Sequence, residues 1–325
     1  MKLRVWAEYF TPLDAMKKEV RELLKKYNVN LCIATPYGCL NEEWANFLKT
    51  YQEEKIEVTL WLLLSDELGY WPSERNVDEF SEYIDSIFEF AKKYNIQIPC
   101  IAIDLETPIY QANKILSEKG FKKIFTLLKI YRENKNRERF YYATKKYSEI
   151  LEKIHRNNTT TIVAAIPWII EDVVAKNIKI QDILETPVTE VDWDVISFMI
   201  YNSMFVGYSK GFLSFEDARY LLYLYAKKAK ENFKERAGIS VGVTSIGKLG
   251  NEPYYETPGL LKPDIEVVKS AGIEDIAIYN LEGILKSKNP EEWFEIVINA
   301  TPKIPPSTLK IKILRKIVRT ILKII

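Results

Sequence analysis

The chain has 325 residues, 47% of them hydrophobic, and its 46 basic and 45 acidic side chains leave a formal charge of +1. That length supports one large core or two modest ones, and the even charge gives no global reason to expect nucleic acid as a partner. A single histidine, His155, leaves almost no room for a histidine zinc site or a Ser-His-Asp triad, and three scattered cysteines (Cys32, Cys39, Cys100) make no disulfide framework.

In chain order, "LRVWAEYF" (3–10) enters a strand pattern directly, with no apolar signal-peptide core before it. This predicts a cytoplasmic location with reduced thiols. Seven more apolar runs follow: "VNLCIATP" (29–36), "IEVTLWLLLS" (56–65), "IPCIAIDLE" (98–106), "TTIVAAIPW" (160–168), "WDVISFMIYN" (193–202), "ISVGVTSIG" (239–247) and "IEDIAIYNLE" (273–282). None is long enough to span a membrane. Between them, 12–28, 76–95 and 214–236 carry apolar residues at helical spacing, with acids early and bases late. His155 falls in what reads as the last turn of a helix, where the dipole favours it. The fifth helix, in "VVAKNIKIQDILE" (173–185), is the least clearly marked.

Eight strand-then-helix units with near-continuous apolar strands predict an α/β chain, a single (β/α)8 TIM barrel over 1–301. An open doubly wound sheet is the rival. The connection after the fourth strand is oversized and reads as two helices, 109–131 and 138–154, the first of them extra. Residues 302–325 form a Pro-rich linker and a basic amphipathic helix with Lys310, Lys312, Arg315, Lys316, Arg319 and Lys323 and no acids, so residues 1–309 alone carry −5. At helical spacing Leu314, Ile317, Val318, Ile321 and Ile325 share a face. Residues 308–325 therefore either lie on an anionic membrane or pack on protein, their own barrel or a second subunit. The Lys-, Glu- and Ile-rich composition points toward a thermophile.

A barrel of this kind carries its chemistry at the C-terminal ends of its strands. In strand order those ends offer Trp6 and Glu8, Tyr37, Asp66 and Trp71, Asp104 and Glu106, Trp168, then Met199, Tyr201 and Asn202, and finally Tyr279 and Glu282. Carboxylates and aromatic rings dominate, which suits a neutral polyhydroxylated ligand, a carbohydrate. Phosphate would want a Gly-rich turn or an arginine cluster, and "SIGKLGNE" (245–252) lacks the phosphate-loop spacing. Asp104 and Glu106, two apart on one strand, share a face and repel, so one carboxyl keeps its proton. Glu106 reaches further and is the better proton donor; Asp104 stays ionised and orients the reacting group. Glu8 and Glu282 are alternative second carboxylates for glycoside hydrolysis. This reading requires no metal and no cofactor.

"IDLE" (103–106) is similar to the end of the D-x-x-D-x-D-x-E strand of glycoside hydrolase family 18, the chitinase-like barrels, and "MIYN" (199–202) resembles their M-x-Y-D. The chain resembles a divergent member, with Pro99, Ala102, Asn202 and Tyr279 where the family has two Asp, an Asp and a Trp. The resemblance implies Glu106 as acid/base, Asp104 steering a substrate N-acetyl group, and Tyr201 bonded to that group. The expected function is a glycoside hydrolase-like barrel that cleaves a glycan, one containing N-acetylhexosamine by the resemblance. Two readings stay open beside it. One is a non-catalytic carbohydrate- or headgroup-binding barrel, favoured by the absent acids at 99 and 102. The other is an Mg²⁺- or Mn²⁺-dependent isomerase or lyase using Asp104, Glu106 and Glu282.

Overall fold

The structure, a computed structural model, describes residues 1–111, 133–247, 250 and 252–324. Eight strands close into a barrel in chain order: β1 Lys2–Ala7, β2 Val29–Pro36, β3 Val58–Leu63, β4 Cys100–Leu105, β5 Thr160–Ala165, β6 Val195–Met199, β7 Ala237–Gly242 and β8 Asp275–Tyr279. Helices separate them, so the expected (β/α)8 barrel is the architecture found. Except for β2, the strands are shorter than the apolar runs, mostly at their C-terminal ends. There the chain leaves the sheet while still apolar, and the residues beyond become the loops that carry side chains to the rim.

The chain divides into two compact units. One contains 1–34, 49–58 and 195–325; the other contains 35–48 and 59–194. In the first unit, β1 pairs in parallel with β2 and β8, and β7 with β6 and β8. Trp6 lies opposite both Cys32 and Tyr279, and Gly242 opposite Tyr279. The strand interior holds a polar layer. Arg4 donates from Nε and Nη2 to the Asp275 carboxylate, each at 2.8 Å. The Trp6 indole N–H donates to Ser240 Oγ at 2.9 Å, and Ser240 bonds Ser197. Because side chains alternate along a strand, these residues mark one face, and Glu8, Tyr201, Gly242 and Tyr279 continue it toward the C-terminal ends.

The helix expected over 12–28 is interrupted: Pro12–Ala15 ends before Lys18–Tyr27 begins, with Lys17 extended between them. The helix Phe215–Phe233 starts at a capping box, Ser214 with Asp217, an arrangement that stabilises a helix by about 1 kcal/mol. The basic helix Leu309–Ile324 docks against it. Ile311 is buried there, Lys310 Nζ donates to Asp217 Oδ2 at 3.0 Å, and the Arg315 guanidinium lies 5.4 Å from the Tyr225 ring centroid. Burial opposes ionisation of Asp217, but the Ser214 amide and Lys310 hold its carboxyl down at about 2.

In the second unit, β4 pairs with β3 and β5, and Asp104 lies opposite Ala164. The helix Val77–Tyr94 runs over the length expected, and its C-cap Asn95 takes the left-handed conformation that asparagine tolerates. The fifth helix is two short ones, Ile169–Ala175 and Lys179–Leu184, separated at left-handed Lys176, which explains its weak periodicity. His155 lies in the last turn of the helix Arg137–Arg156, its Nε2 2.9 Å from Asp194 Oδ2. Most of the extra helix expected over 109–131 lies outside the described residues.

Candidate active site

Four of the residues read from strand ends meet in the first unit. Glu8 follows β1 by one residue and is nearly buried. The Tyr279 hydroxyl, at the end of β8, donates to Glu8 Oε2. Glu282 sits in the first turn of Leu281–Lys286, placed there by an Asn280 cap whose side chain accepts from the Gly283 amide. Its Oε1 accepts from the Tyr9 backbone N–H at 2.6 Å. Its Oε2 is buried without a hydrogen-bond partner among the described residues. Tyr201, just beyond β6, lies with its ring centroid 5.6 Å from that of Tyr279.

The electrostatics follow from this packing. Burial pushes the Glu282 carboxyl above its ordinary value; backbone N–H groups including Tyr9 pull it down, and the Glu8 charge pushes it up again. Burial together with Glu8, Glu252 and Glu282 raises the Tyr9 phenol. Glu252 belongs to the same cluster and was missed in the sequence, because 245–252 read only as a loop. The available signal was an acid before a proline ("EP", 252–253) among aromatic residues after a barrel strand. Glu252 is nearly buried, and burial and its charge push the Tyr208 phenol up to about 12. Gly247 makes the close approach possible: a Cβ there would run into the Tyr279 hydroxyl and lie 3.2 Å from Glu252 Oε1.

In the second unit, Asp104 is the fifth residue of β4, 4% exposed, and Glu106 follows the strand, half-buried. The loop after β3 closes on this strand end. Glu106 N–H donates to Pro72 O at 3.3 Å and Ile109 N–H to Gly69 O at 3.1 Å. Gly69 has φ +103°, and a Cβ there would meet Asn76 Nδ2 at 3.2 Å and Pro108 at 3.4 Å, so glycine suits this crossing in both conformation and space.

The other residues read from strand ends are scattered. Trp6 is buried below the rim in the polar layer. Asn202 is fully buried, near Asp264, whose carboxylate accepts from Tyr255 and Arg219. Met199 ends β6, half-buried. Tyr37 is half-exposed with its ring edge-on to Tyr83 at 5.0 Å, and Asp66 is exposed in a short 3-10 turn. Trp71 is buried edge-on to Tyr70, whereas Trp168 is 52% exposed at the start of Ile169–Ala175. Among the described residues no three acidic, histidine or cysteine side chains form a metal-holding group.

No family model matches the chain, and no curated protein matches it. Solved structures do. The glycoside hydrolase domain of PgaB (BpsB) from Bordetella bronchiseptica superposes with a TM-score of 0.55 at 10% identity, covering 93% of this chain and 99% of that one. A fungal β-1,4-galactanase superposes with a TM-score of 0.51 at 11% identity, covering 91% of this chain and 99% of that one. At such identities the likeness shows the barrel fold and nothing narrower.

Proposed function

We propose that this barrel cleaves a glycan by carboxylate acid/base catalysis. The observation that carries the reading is Glu282, a buried carboxyl with one oxygen left without a hydrogen-bond partner among the described residues and pushed above its ordinary value by burial, beside Glu8, held by the Tyr279 hydroxyl, among aromatic rings. Glu282 gives its proton to the leaving glycosidic oxygen, Glu8 meets the positive charge developing at the anomeric carbon, and water supplies the new hydroxyl, its other proton returning to Glu282. Tyr9, Tyr201 and Tyr279 offer flat faces to the sugar ring. The two solved structures, one named as a glycoside hydrolase domain and one as a β-1,4-galactanase, are consistent with this choice among the many chemistries the fold hosts.

Asp104 and Glu106 support a second assignment of the same chemistry. Asp104 is buried at a strand end, and Glu106 is accessible enough to protonate a leaving group. The family 18 resemblance assigns them the roles of orienting carboxylate and acid, with an N-acetylhexosamine-containing glycan as substrate. We place the chain in a reducing, cytoplasmic compartment; burial pushes the Cys39 thiol up to about 12, as befits a structural thiol.

The deciding experiment measures hydrolysis of aryl glycosides, including N-acetylhexosaminides, and of a glycan library by the wild type, Glu282→Gln, Glu8→Gln and Glu106→Gln, each with folding checked. Loss in the first two alone assigns the acid to β8. Loss in Glu106→Gln alone assigns it to β4. Ligand binding with no turnover by the wild type overturns catalysis in favour of a binding barrel. Turnover abolished by chelation and restored by Mg²⁺ or Mn²⁺ favours the metal-dependent alternative.

A further inference from the structure

The basic helix Leu309–Ile324 is only half used by its docking. Ile311, Lys310 and Arg315 face the helix Phe215–Phe233 and the segment before it. Three apolar residues on the same helix face solvent instead: Leu309 is 72% exposed, and Ile313 and Ile317 are each 51% exposed. Spaced four apart, they form one stripe along the helix. The exposed lysines Lys312 and Lys316 flank it. Beside the stripe, Tyr220, Leu224, Lys312, Arg315, Lys316, Arg319 and Thr320 line a cleft of about 410 Å³, with four cations and no acid.

We propose that this face binds the surface of a bilayer containing anionic lipids. Leu309, Ile313 and Ile317 enter the boundary between headgroups and acyl chains. Lys312, Lys316 and Arg319 meet the lipid phosphates, and the cleft accommodates an anionic headgroup. Charge complementarity selects this occupant: six cations and no acid lie between 310 and 325, on a chain whose remaining residues carry −5. A lipid surface offers both negative charge for the lysines and apolar depth for the stripe. No described helix is long and apolar enough to cross a membrane, so the contact is one of a helix lying on the surface.

The test is co-sedimentation of the full chain with vesicles at low and high salt. One set is pure phosphatidylcholine; the other is an equimolar mixture of phosphatidylcholine and phosphatidylserine. The expected result is partition onto the mixed vesicles only, weakened by salt. Lys312→Gln/Lys316→Gln, at exposed positions, should lower that partition about 30-fold, as expected for two surface cations. Ile313→Ser/Ile317→Ser should lower it about tenfold or more, with circular dichroism unchanged. Equal binding to both vesicle types, no binding, or anionic binding that neither double variant changes would overturn the proposal. So would concentration-dependent self-association abolished by Ile313→Ser/Ile317→Ser without vesicle partition, which assigns the stripe to a second copy of the chain.

Discussion

Two clusters of buried glutamates lie in opposite company. In the first unit, Glu8, Glu252 and Glu282 share their surroundings with tyrosines and with each other. In the second, Glu74 and Glu185 have fully buried side chains beside arginines. Arg139 donates to Glu74 at 3.0 Å and to Glu185 at 2.5 Å, and Arg75 donates to Glu185 at 2.8 Å. Gln111 and Asn134 complete that network. Burial also pushes Glu74 up, to about 8, against the pull of Arg139, and its Oε1 is buried without a hydrogen-bond partner among the described residues. A raised carboxyl is therefore not by itself a catalytic one. Its neighbours decide: arginines and amides join two loops to a helix, whereas aromatic faces and further acids leave a proton available to a ligand.

The comparison breaks most sharply at Glu282. Glu282→Gln should reduce glycan hydrolysis by about 10²- to 10⁴-fold, the usual contribution of a general acid, while Glu74→Gln leaves it unchanged. Equal losses in both, measured as kcat/KM, would erase the distinction. Arg139→Ala removes a cation from two buried carboxylates and should destabilise the fold by about 3 kcal/mol in urea unfolding. A change near zero would make that cluster ornamental.

Acidity separates the two regions next. A carboxyl raised in the folded state stabilises below its unfolded value and loses that contribution as pH rises through its folded value. For Glu74 the window runs from 4.5 to about 8. The wild type should therefore lose stability relative to Glu74→Gln between pH 5 and pH 9, followed by thermal unfolding. Glu282→Gln should show the same direction, because its carboxyl is raised too. A wild type that gains stability on Glu74→Gln over that range would invert the reading of Glu74. The smallest effect is expected at Tyr279→Phe. Losing one hydroxyl on Glu8 should lower kcat/KM about tenfold, the worth of one hydrogen bond to a charged group, and leave stability nearly unchanged.

Much of the scaffold was legible in the sequence. Eight apolar runs located eight strands, because a strand buried on both faces needs no polar alternation. The helix Val77–Tyr94 was legible because its apolar spacing agrees with its early acids and late bases. The two breaks, at Lys17 and at Lys176, were not. Each depends on one residue leaving helical geometry in response to packing that local pattern does not encode. The candidate site was legible by residue type at strand ends, including Glu8, Tyr201, Tyr279 and Glu282. Glu252 was not, since its place is set by tertiary contacts around Tyr279, close enough that only a glycine fits at 247.

By itself, then, the sequence determined the strand and helix order, the chemistry available at the strand ends, and a basic amphipathic helix near residue 325. Periodicity, charge and capping act over a few residues and can be read along the chain. Tertiary structure alone decided which carboxyls lose water, which gain an arginine, and which rest beside a tyrosine hydroxyl. Those outcomes depend on residues as far apart as Glu8 and Tyr279, brought together by β1 pairing with β8. Burial and neighbouring charge shift a proton equilibrium only through such three-dimensional proximity.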